Sequence, residues 1–192
     1  MAYPAGPAPA LPDRYGGALR LEAAKCPTGC AACVAVCPTE AITQPPQHPV
    51  ALDLGLCIFC PECVKACPTG AITQTGDHRM AVRRREDLRL GDAGKEQLRL
   101  AAALDAKLLR LFGRSLKLRQ VSAGGCAACE ADTNVLGTIG WDLGRFGIQF
   151  VASPRHADGL LITGPVSKNM ELALKKTYAA VPDPKIVIAV GA

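Results

Sequence analysis

Four closely spaced cysteines occur in the segment Cys57-Ile-Phe-Cys60-Pro-Glu-Cys63-Val-Lys-Ala-Cys67-Pro68. It places three cysteines at every third residue, and then a fourth cysteine directly before a proline. A tight loop with thiolates at this spacing can wrap around three neighbouring corners of a cubic iron–sulfur cluster, while the turn before the proline carries the fourth thiolate away. The spacing therefore predicts an iron–sulfur site.

The stretch has a second copy upstream. Cys33–Gln44 aligns with Cys63–Gln74 at an offset of 30 residues, and nine of the twelve aligned positions are identical. The upstream copy begins Cys26-x₃-Cys30-x₂-Cys33-x₃-Cys37-Pro38 and is one residue longer in its first gap. A unit this short cannot bury a core alone, so the two copies are predicted to pack as a pseudo-symmetric pair.

Residues 23–76 resemble the two-cluster [4Fe–4S] ferredoxins in their cysteine spacing, their Cys-Pro-Thr steps and their duplication. The resemblance implies an α+β ferredoxin-like domain with low-potential, one-electron chemistry. In such proteins the fourth cysteine of each run ligates the other cluster. The expected ligands of cluster one are Cys26, Cys30, Cys33 and Cys67, and those of cluster two are Cys57, Cys60, Cys63 and Cys37. Five apolar side chains are expected to be buried and to keep the clusters dry: Val34, Val36, Ile42, Val64 and Ile72.

Zinc sites and disulfides are the two alternatives to an iron–sulfur interpretation of these cysteines. Zinc takes four ligands, usually in CxxC pairs, which does not account for the third cysteine or for the proline after the fourth. Disulfides belong to oxidising compartments, and residues 1–10 show neither the basic start nor the apolar segment of a signal peptide. The iron–sulfur interpretation is therefore preferred.

Four zones are predicted along the chain. Residues 1–22 are an extended lead-in rich in Pro, Ala and Gly, and residues 23–76 form the two-cluster domain. Residues 77–114 form a basic linker and a helix over 93–112, in which Arg83–Arg85 are expected to be a solvated face or a contact to an acidic partner. Residues 115–192 alternate predicted strands (116–122, 148–152, 159–163, 185–190) with helices (130–139, 167–180). This alternation predicts an α/β domain with a parallel sheet.

A further cysteine pair lies in Gly124-Gly125-Cys126-Ala-Ala-Cys129-Glu130, between a predicted strand and a predicted helix. Ligands of α/β sheets bind at such strand–loop–helix crests. The glycines permit close approach of the backbone, and a helix N-terminus stabilises thiolates. The pair is therefore predicted to bind metal or to act in redox chemistry. A thioredoxin-like redox pair and half of a zinc site remain alternatives.

Four separated blocks of this zone resemble one family: residues 112–126, 145–158, 160–170 and 182–191. They are similar to the small subunit of energy-converting nickel–iron hydrogenases and formate hydrogenlyase, and to the B-type (20 kDa-type) subunit of complex I, NADH-quinone oxidoreductase. The resemblance implies a flavodoxin-like domain with one [4Fe–4S] cluster that faces a large catalytic or quinone-binding subunit. Cys126 and Cys129 would be two of its ligands. Glu130 would relay protons or tune the cluster, with capping of the helix start as the alternative.

The family places its remaining ligands after the strand that ends at Gly191. This sequence ends at Ala192 and contains no further cysteine. The expectation is therefore an α/β domain that is incomplete at its C-terminus, with a partial third site. A third cluster is expected only if the missing ligands are supplied from elsewhere.

The amino-acid composition argues against one class of function, the binding of nucleic acid. The net charge of +5 falls to roughly +1 with two clusters, since each adds about −2, and aromatic residues make up 4%, so nucleic-acid binding is not expected. The leading hypothesis is an electron-transfer subunit that has no substrate-reacting centre and that works with a large catalytic subunit and with redox donor and acceptor proteins. It would be cytoplasmic, and peripheral on the cytoplasmic face of the inner membrane only through partners. A stand-alone ferredoxin-like carrier and a redox-sensing or zinc-binding regulator are the alternatives.

Overall fold

The computed structural model describes residues 6–7, 10–44, 50–91, 98 and 115–191 of the 192-residue chain. The predicted helix over 93–112 lies almost entirely outside the described residues. The chain divides into two compact units, residues 1–102 and 103–192. Each unit is described by itself below.

The described part of the N-terminal unit consists of short strands and two helices of little more than one turn. In chain order its elements are β1 (Leu19–Leu21), α1 (Ala32–Ala35), β2 (Ile42–Thr43), β3 (Ala51–Asp53), α2 (Glu62–Ala66), β4 (Ile72–Gln74) and β5 (Arg89–Leu90). Helix α1 and strand β2 fall in the first sequence copy, and α2 and β4 occupy the corresponding positions of the second. The sequence repeat is therefore also a structural repeat.

The two copies are tied together by crossed strand pairing. Strand β1, which precedes the first copy, pairs antiparallel with β4 of the second copy, and Leu21 lies opposite Ile72. Strand β3, which precedes the second copy, pairs antiparallel with β2 of the first, and Ile42 lies opposite Leu52. Strand β5 extends the second sheet along β3. Since each copy depends on a strand outside itself, neither can fold alone, as its length predicts.

The core of this unit fills the space between the two sheets and the cysteine loops. Its most buried members are Leu19, Leu21, Val50, Leu52, Ile72 and Leu90. Ile42 and Ile72 are each 2% exposed, as expected, and the partly buried Val34 and Val64 pack against the core. The expectation for Val36 is wrong, because this side chain is 40% exposed. It follows the last residue of α1, where the chain turns away from the core.

The basic linker contributes to this unit. The Arg85 guanidinium donates two hydrogen bonds to the Asp53 carboxylate, at 2.7 and 2.9 Å. Arg89 lies 3.5 Å from the same carboxylate. The bidentate pair fastens the 3₁₀ turn Arg85–Leu88, and the strand β5 that follows it, to the end of β3. The three arginines Arg83–Arg85 are exposed, as predicted for a solvated face, and Arg85 in addition pairs with the acidic end of β3.

The C-terminal unit alternates strands and helices. Its elements are β6 (Leu116–Ser122), α3 (Ala128–Val135), β7 (Ile148–Phe150), β8 (Gly159–Thr163), α4 (Lys168–Ala180) and β9 (Ile186–Val190). The predicted elements match β6 and β8 at both ends, and the others to within about four residues at each end. Short 3₁₀ turns at Leu143–Phe146 and Pro154–His156 fill the connections around β7.

The four strands described in this unit are all parallel, in the order β7-β6-β8-β9. The chain leaves β6 for one neighbour, β7, and then returns across β6 to the other neighbour, β8. The strand order therefore reverses between β6 and β8, and crevices at such a point are where open α/β sheets bind ligands. The loop with Cys126 and Cys129 follows β6 and so lies at this crevice.

Helix α4 covers one face of the sheet. Leu160 and Val121 pack under Met170 and Leu174 of α4, and form an apolar face with Val181. The opposite face carries Gln120 and Thr163 on neighbouring strands, together with the buried Leu118 and Leu161. Among the described residues, no helix is long and apolar enough to cross a membrane.

Candidate iron–sulfur sites

The first site is a cavity ringed by Cys26, Cys30, Cys33 and Cys67. Part of the space is open to solvent, and Pro27, Pro68 and Ile72 contribute to its wall. Burial raises the pKa of the Cys33 thiol, and the neighbouring Cys26, Cys67 and Cys30 thiols raise it further. Three cysteines of the first loop and the fourth cysteine of the second run thus meet at one place.

The second site repeats this arrangement with the copies exchanged. Burial raises the pKa of Cys57, and the nearby Cys37 and Cys60 thiols act in the same direction. The pKa of Cys63 rises to about 11 through burial and through its neighbours Cys57 and Cys60. Three cysteines of the second loop therefore meet the fourth cysteine of the first run. Crowded thiols that repel one another as thiolates suit a cationic iron core.

The two sites adjoin each other. Cys63 of the second site is close enough to Cys33 of the first for their charges to interact. These two cysteines are the most buried of the ten, at 6% exposed each, and they lie in α1 and α2. The pairing of the two helices therefore brings the two sites together at the centre of the unit.

Backbone N–H groups point at the cysteine sulfurs. The Ala71 N–H donates to Cys67 Sγ and the Phe59 N–H donates to Cys57 Sγ, both at 3.2 Å. Burial raises the pKa of Cys67 and Cys37, but N–H groups of the following turn and a threonine hydroxyl outweigh it, so that both pKa values lie below the ordinary value. The threonines are Thr39 and Thr69, each 3.8 Å from its cysteine. Such donors stabilise negative charge on sulfur.

The sulfur sets do not suit a single metal ion. Among the described residues, no group of three His, Cys, Asp or Glu side chains closes around one ion. Tetrahedral zinc would hold its sulfurs about 3.8 Å apart. In a cubic cluster each thiolate binds a different iron, which needs a wider ring. A set of four cysteine thiolates is the donor set that a [4Fe–4S] cluster takes.

The third candidate site lies at the crevice between β6 and β8. Its cavity, about 320 Å³ including the open mouth, is lined by Cys126, Cys129, Glu130, Ser122, Thr163 and the Gly125, Gly164 and Pro165 backbone. Helix α3 begins after Ala127, which has a φ of 69° and provides no side-chain cap, so the loop presents both cysteines at the helix start. Cys126 is exposed and Cys129 half-buried. Glu130 lies in the first turn and lines the same cavity.

A buried hydroxyl lines this cavity. Thr163 is 2% exposed, and its Oγ1 has no hydrogen-bond partner among the described residues. A hydroxyl buried without a partner costs about 1–3 kcal/mol. The cavity is therefore polar, and a sulfur-rich or hydrated occupant that accepts a hydrogen bond would fit it. No sequence pattern pointed to this group, because Thr163 is an ordinary residue at the end of a strand.

The end of β9 also reaches this site. A Cβ added to Gly191 would lie 2.6 Å from Cys129 Sγ, so the backbone after β9 passes directly beside the sulfur. Gly191 has a φ of 88°, a conformation that side chains disfavour. The backbone at the end of β9 is therefore well placed to contact a group bound at Cys126 and Cys129.

Comparison with known proteins supports both resemblances. Residues 25–71 match the family model described as 4Fe-4S dicluster domain, and residues 126–192 match NADH ubiquinone oxidoreductase, 20 Kd subunit. The two-domain resemblance predicted from the sequence is thereby confirmed, as are its coarse fold classes.

Three of the curated relatives are named as subunits of a hydrogenase, a formate hydrogenlyase and an NADH-quinone oxidoreductase. The chain is 45% identical over 87 residues to "Probable membrane-bound hydrogenase subunit mbhJ" of Pyrococcus furiosus, covering 45% of this chain and 52% of that protein. It is 42% identical over 91 residues to formate hydrogenlyase subunit 7 of Escherichia coli, covering 47% and 36%. It is 47% identical over 68 residues to an NADH-quinone oxidoreductase subunit of Geotalea daltonii, covering 35% and 40%. The chain thus spans about half or less of the length of these relatives.

Among solved structures, a chain of the membrane-bound sulfane sulfur reductase, an archaeal respiratory membrane complex, is 38% identical. The match covers 40% of this chain and 41% of that chain, with a TM-score of 0.34.

Proposed function

We propose that this chain is an iron–sulfur electron-transfer subunit of a hydrogenase-like or NADH-quinone oxidoreductase-like complex. The observation that carries the proposal is the exchange of the fourth cysteine between the two copies, which gathers eight cysteines into two adjoining sets of four. The relatives of both parts of the chain support the kind of complex. The described walls of the first set consist of cysteines and mainly apolar residues, which suit a buried cluster better than a polar substrate. We therefore assign the chain electron transfer alone.

The ligands of the two ferredoxin-type sites are proposed residue by residue. Cys26, Cys30, Cys33 and Cys67 hold cluster one, and Cys57, Cys60, Cys63 and Cys37 hold cluster two. Bound clusters supply one-electron chemistry at low potential. The protein contributes the N–H donors to Cys57 and Cys67, and its core excludes water from the inner side of both sites.

Cys126 and Cys129 are proposed to provide two thiolate ligands of a third site. Support comes from the switch-point position and from the approach of the Gly191 backbone to Cys129. The strand order, with β7, β6, β8 and β9 as strands 2-1-3-4, favours a flavodoxin-like domain. Glu130 is proposed to act on the charge of this site rather than to cap α3.

The partners are proposed from the relatives. A large catalytic subunit covers the third site, and redox donor and acceptor proteins meet the N-terminal unit. Association with a membrane occurs through such partners.

The test is an iron and acid-labile sulfide assay on the chain purified without oxygen, followed by EPR after dithionite reduction. About eight irons per chain with two interacting reduced signals is the expected result. About four irons would contradict the two-cluster assignment. Co-purification from the native source of a large subunit that contains nickel or binds quinone tests the second half of the proposal, and a chain that purifies as a free monomer contradicts it.

A further inference from the structure

Because the N-terminal unit is pseudo-symmetric, each residue near one cysteine site can be compared with its counterpart 30 residues away near the other site. Each copy has two residues in the left-handed backbone region at corresponding places. In the cysteine loops these are Gly29, with a φ of 79°, and Phe59, with a φ of 57°. In the turns after the fourth cysteine they are Glu40, with a φ of 53°, and Gly70, with a φ of 65°.

Each left-handed position requires either glycine or a strained side chain. Left-handed backbone suits glycine, because any other residue there brings its Cβ too close to the neighbouring carbonyl oxygen. Each copy therefore has glycine at one of its two left-handed positions and a strained residue with a side chain at the other. A Cβ added at Gly29 or Gly70 would meet no atom within 4 Å, so space does not explain why glycine occurs there and not at the other two positions.

The exchange of the fourth cysteine assigns both side chains to the same site. Phe59 lies in the loop of Cys57 and Cys60, and Glu40 follows Cys37, the fourth cysteine of that site. Gly29 and Gly70 correspondingly belong to the site of Cys26, Cys30, Cys33 and Cys67. One site thus carries an aromatic ring and a carboxylate at its left-handed positions, and the other carries neither.

Several other features of the two sites are balanced. Backbone N–H groups of the following turn act on the fourth cysteine of each set, and each fourth cysteine has one threonine hydroxyl at 3.8 Å. The second set also receives the Phe59 N–H on Cys57 Sγ, at 3.2 Å. Near the second site, Glu62 and Lys65 neutralise each other at 2.8 Å, as Glu22 and Lys25 do near the first. Arg89, which lines the same cleft as Glu40, shares the Asp53 carboxylate with Arg85. The charge of Glu40 and the ring of Phe59 are two side-chain features by which the sites differ.

We infer that Glu40 and Phe59 make the two sites inequivalent, giving the site of Cys37, Cys57, Cys60 and Cys63 the more negative reduction potential. The inference rests on the proposed two-cluster function. Reduction adds a negative charge to a cluster. The Glu40 carboxylate repels that charge, and the Phe59 ring keeps water away from it, so both effects lower the reduction potential. A single electron on the N-terminal unit accordingly resides at the site of Cys26, Cys30, Cys33 and Cys67.

The test is an EPR-monitored redox titration of the anaerobically purified full chain and four variants. Glu40→Gln keeps the size of the side chain and removes the charge, and it should raise one of the two midpoint potentials. Gly70→Glu adds the carboxylate at the corresponding position and should lower the other potential. Gly70→Gln is the uncharged control and should leave that potential near its wild-type value. Glu40→Gly relaxes the backbone, folds readily and should repeat the rise.

The outcome can be read without assigning either signal to a site. The inference requires that Glu40→Gln and Gly70→Glu move different potentials in opposite directions. It also requires that the shifts shrink as salt rises, because exposed charges are screened beyond about 10 Å at 0.1 M. Movement of the same potential by both variants, or no movement by Glu40→Gln, overturns it.

Failure of the underlying function is distinguished beforehand by the iron assay. If the wild-type chain binds about eight irons and shows two reduced signals, but the Glu40 variants do not change either potential, only the inference is refuted. A wild-type chain without those clusters refutes both.

Discussion

At the residue scale, the informative side chains are those with strained backbone or with an unsatisfied buried polar group. Glu40 and Phe59 hold left-handed backbone that glycine holds elsewhere, and Thr163 buries a hydroxyl without a partner among the described residues. Each lies beside a cysteine set. Strain and unsatisfied groups concentrate at functional sites because the surrounding structure there is selected for the bound group.

Thr163 yields a prediction about stability. Thr163→Val removes a buried hydroxyl and keeps the shape, so with the third site unligated it should stabilise β8 against local opening by about 1 kcal/mol. Thr133→Val is the contrasting variant, because the Thr133 hydroxyl donates to the Cys129 carbonyl at 2.8 Å and its loss should destabilise α3. Hydrogen exchange of the β8 and α3 peptides measures both effects. A destabilised β8 in Thr163→Val would show that the hydroxyl has a partner.

Asp53 and Arg85 yield a prediction about pH. Burial raises the pKa of the Asp53 carboxyl, but Arg85 and the Gly55 N–H outweigh it, so the pKa lies below the ordinary 3.8. The pair therefore stabilises the fold fully above the unfolded-state pKa and loses its effect only as pH falls through the lowered value. Asp53→Asn should cost about 0.5–1 kcal/mol, equally at every pH from about 6 to 8. Thermal unfolding of wild type and variant across that range checks this, and a difference that changes with pH would contradict it.

At the element scale, the crossing of strands and cysteines between the two copies is the organising feature. Strand β1 pairs with a strand of the second copy and β3 with a strand of the first. Cys67 and Cys37 likewise join the cysteine set of the opposite copy. This predicts how serine variants group. Cys67→Ser should perturb the same EPR signal as Cys30→Ser, and Cys37→Ser the same signal as Cys60→Ser. If Cys67→Ser instead grouped with Cys60→Ser, each run would hold its own cluster and the proposed ligand sets would be wrong.

The crevice between β6 and β8 depends on close backbone packing. Gly164 has a φ of 86°, and a Cβ there would lie 2.8 Å from the Gly125 nitrogen. Gly164→Ala should therefore push the cysteine loop away from β8 and destabilise the unit by roughly 1–3 kcal/mol. Gly140→Ala is the matched control, since a Cβ at that position meets no atom within 4 Å. Hydrogen exchange of the β6–α3 segment measures the effect, and equal behaviour of the two variants would contradict it.

At the scale of the whole molecule, the cysteines fall into two compact units. Eight belong to the N-terminal unit and two to the C-terminal one. The double variant Cys126→Ser/Cys129→Ser should therefore keep about eight irons per chain and both ferredoxin-type signals. Iron analysis and EPR of the full chain test this. A fall towards about four irons would mean that the third pair takes part in one of the two sites.

Local pattern was enough to predict the elements and motifs that depend on neighbouring residues alone. Cysteine spacing predicted the two iron–sulfur runs, and the repeat predicted a pseudo-symmetric pair. Apolar patterning placed β6 and β8 to the residue. Strand β8 is buried along most of its length, and a parallel strand of that kind has a sharp hydrophobic boundary at each end. The Gly-rich loop after β6 pointed to Cys126 and Cys129 as a candidate site, and both line one cavity in the structure.

Contacts between distant residues, by contrast, became visible only in the folded chain. The pairing of Arg85 with Asp53, the exposure of Val36 and the burial of the Thr163 hydroxyl follow from how strands and turns meet, and no local pattern records them. The same holds for Glu40 and Phe59, since their shared position around one cysteine set arises only when the two copies exchange their fourth cysteines. Periodicity and spacing are local properties, whereas burial and charge environment are sums over neighbours that the chain brings together only on folding.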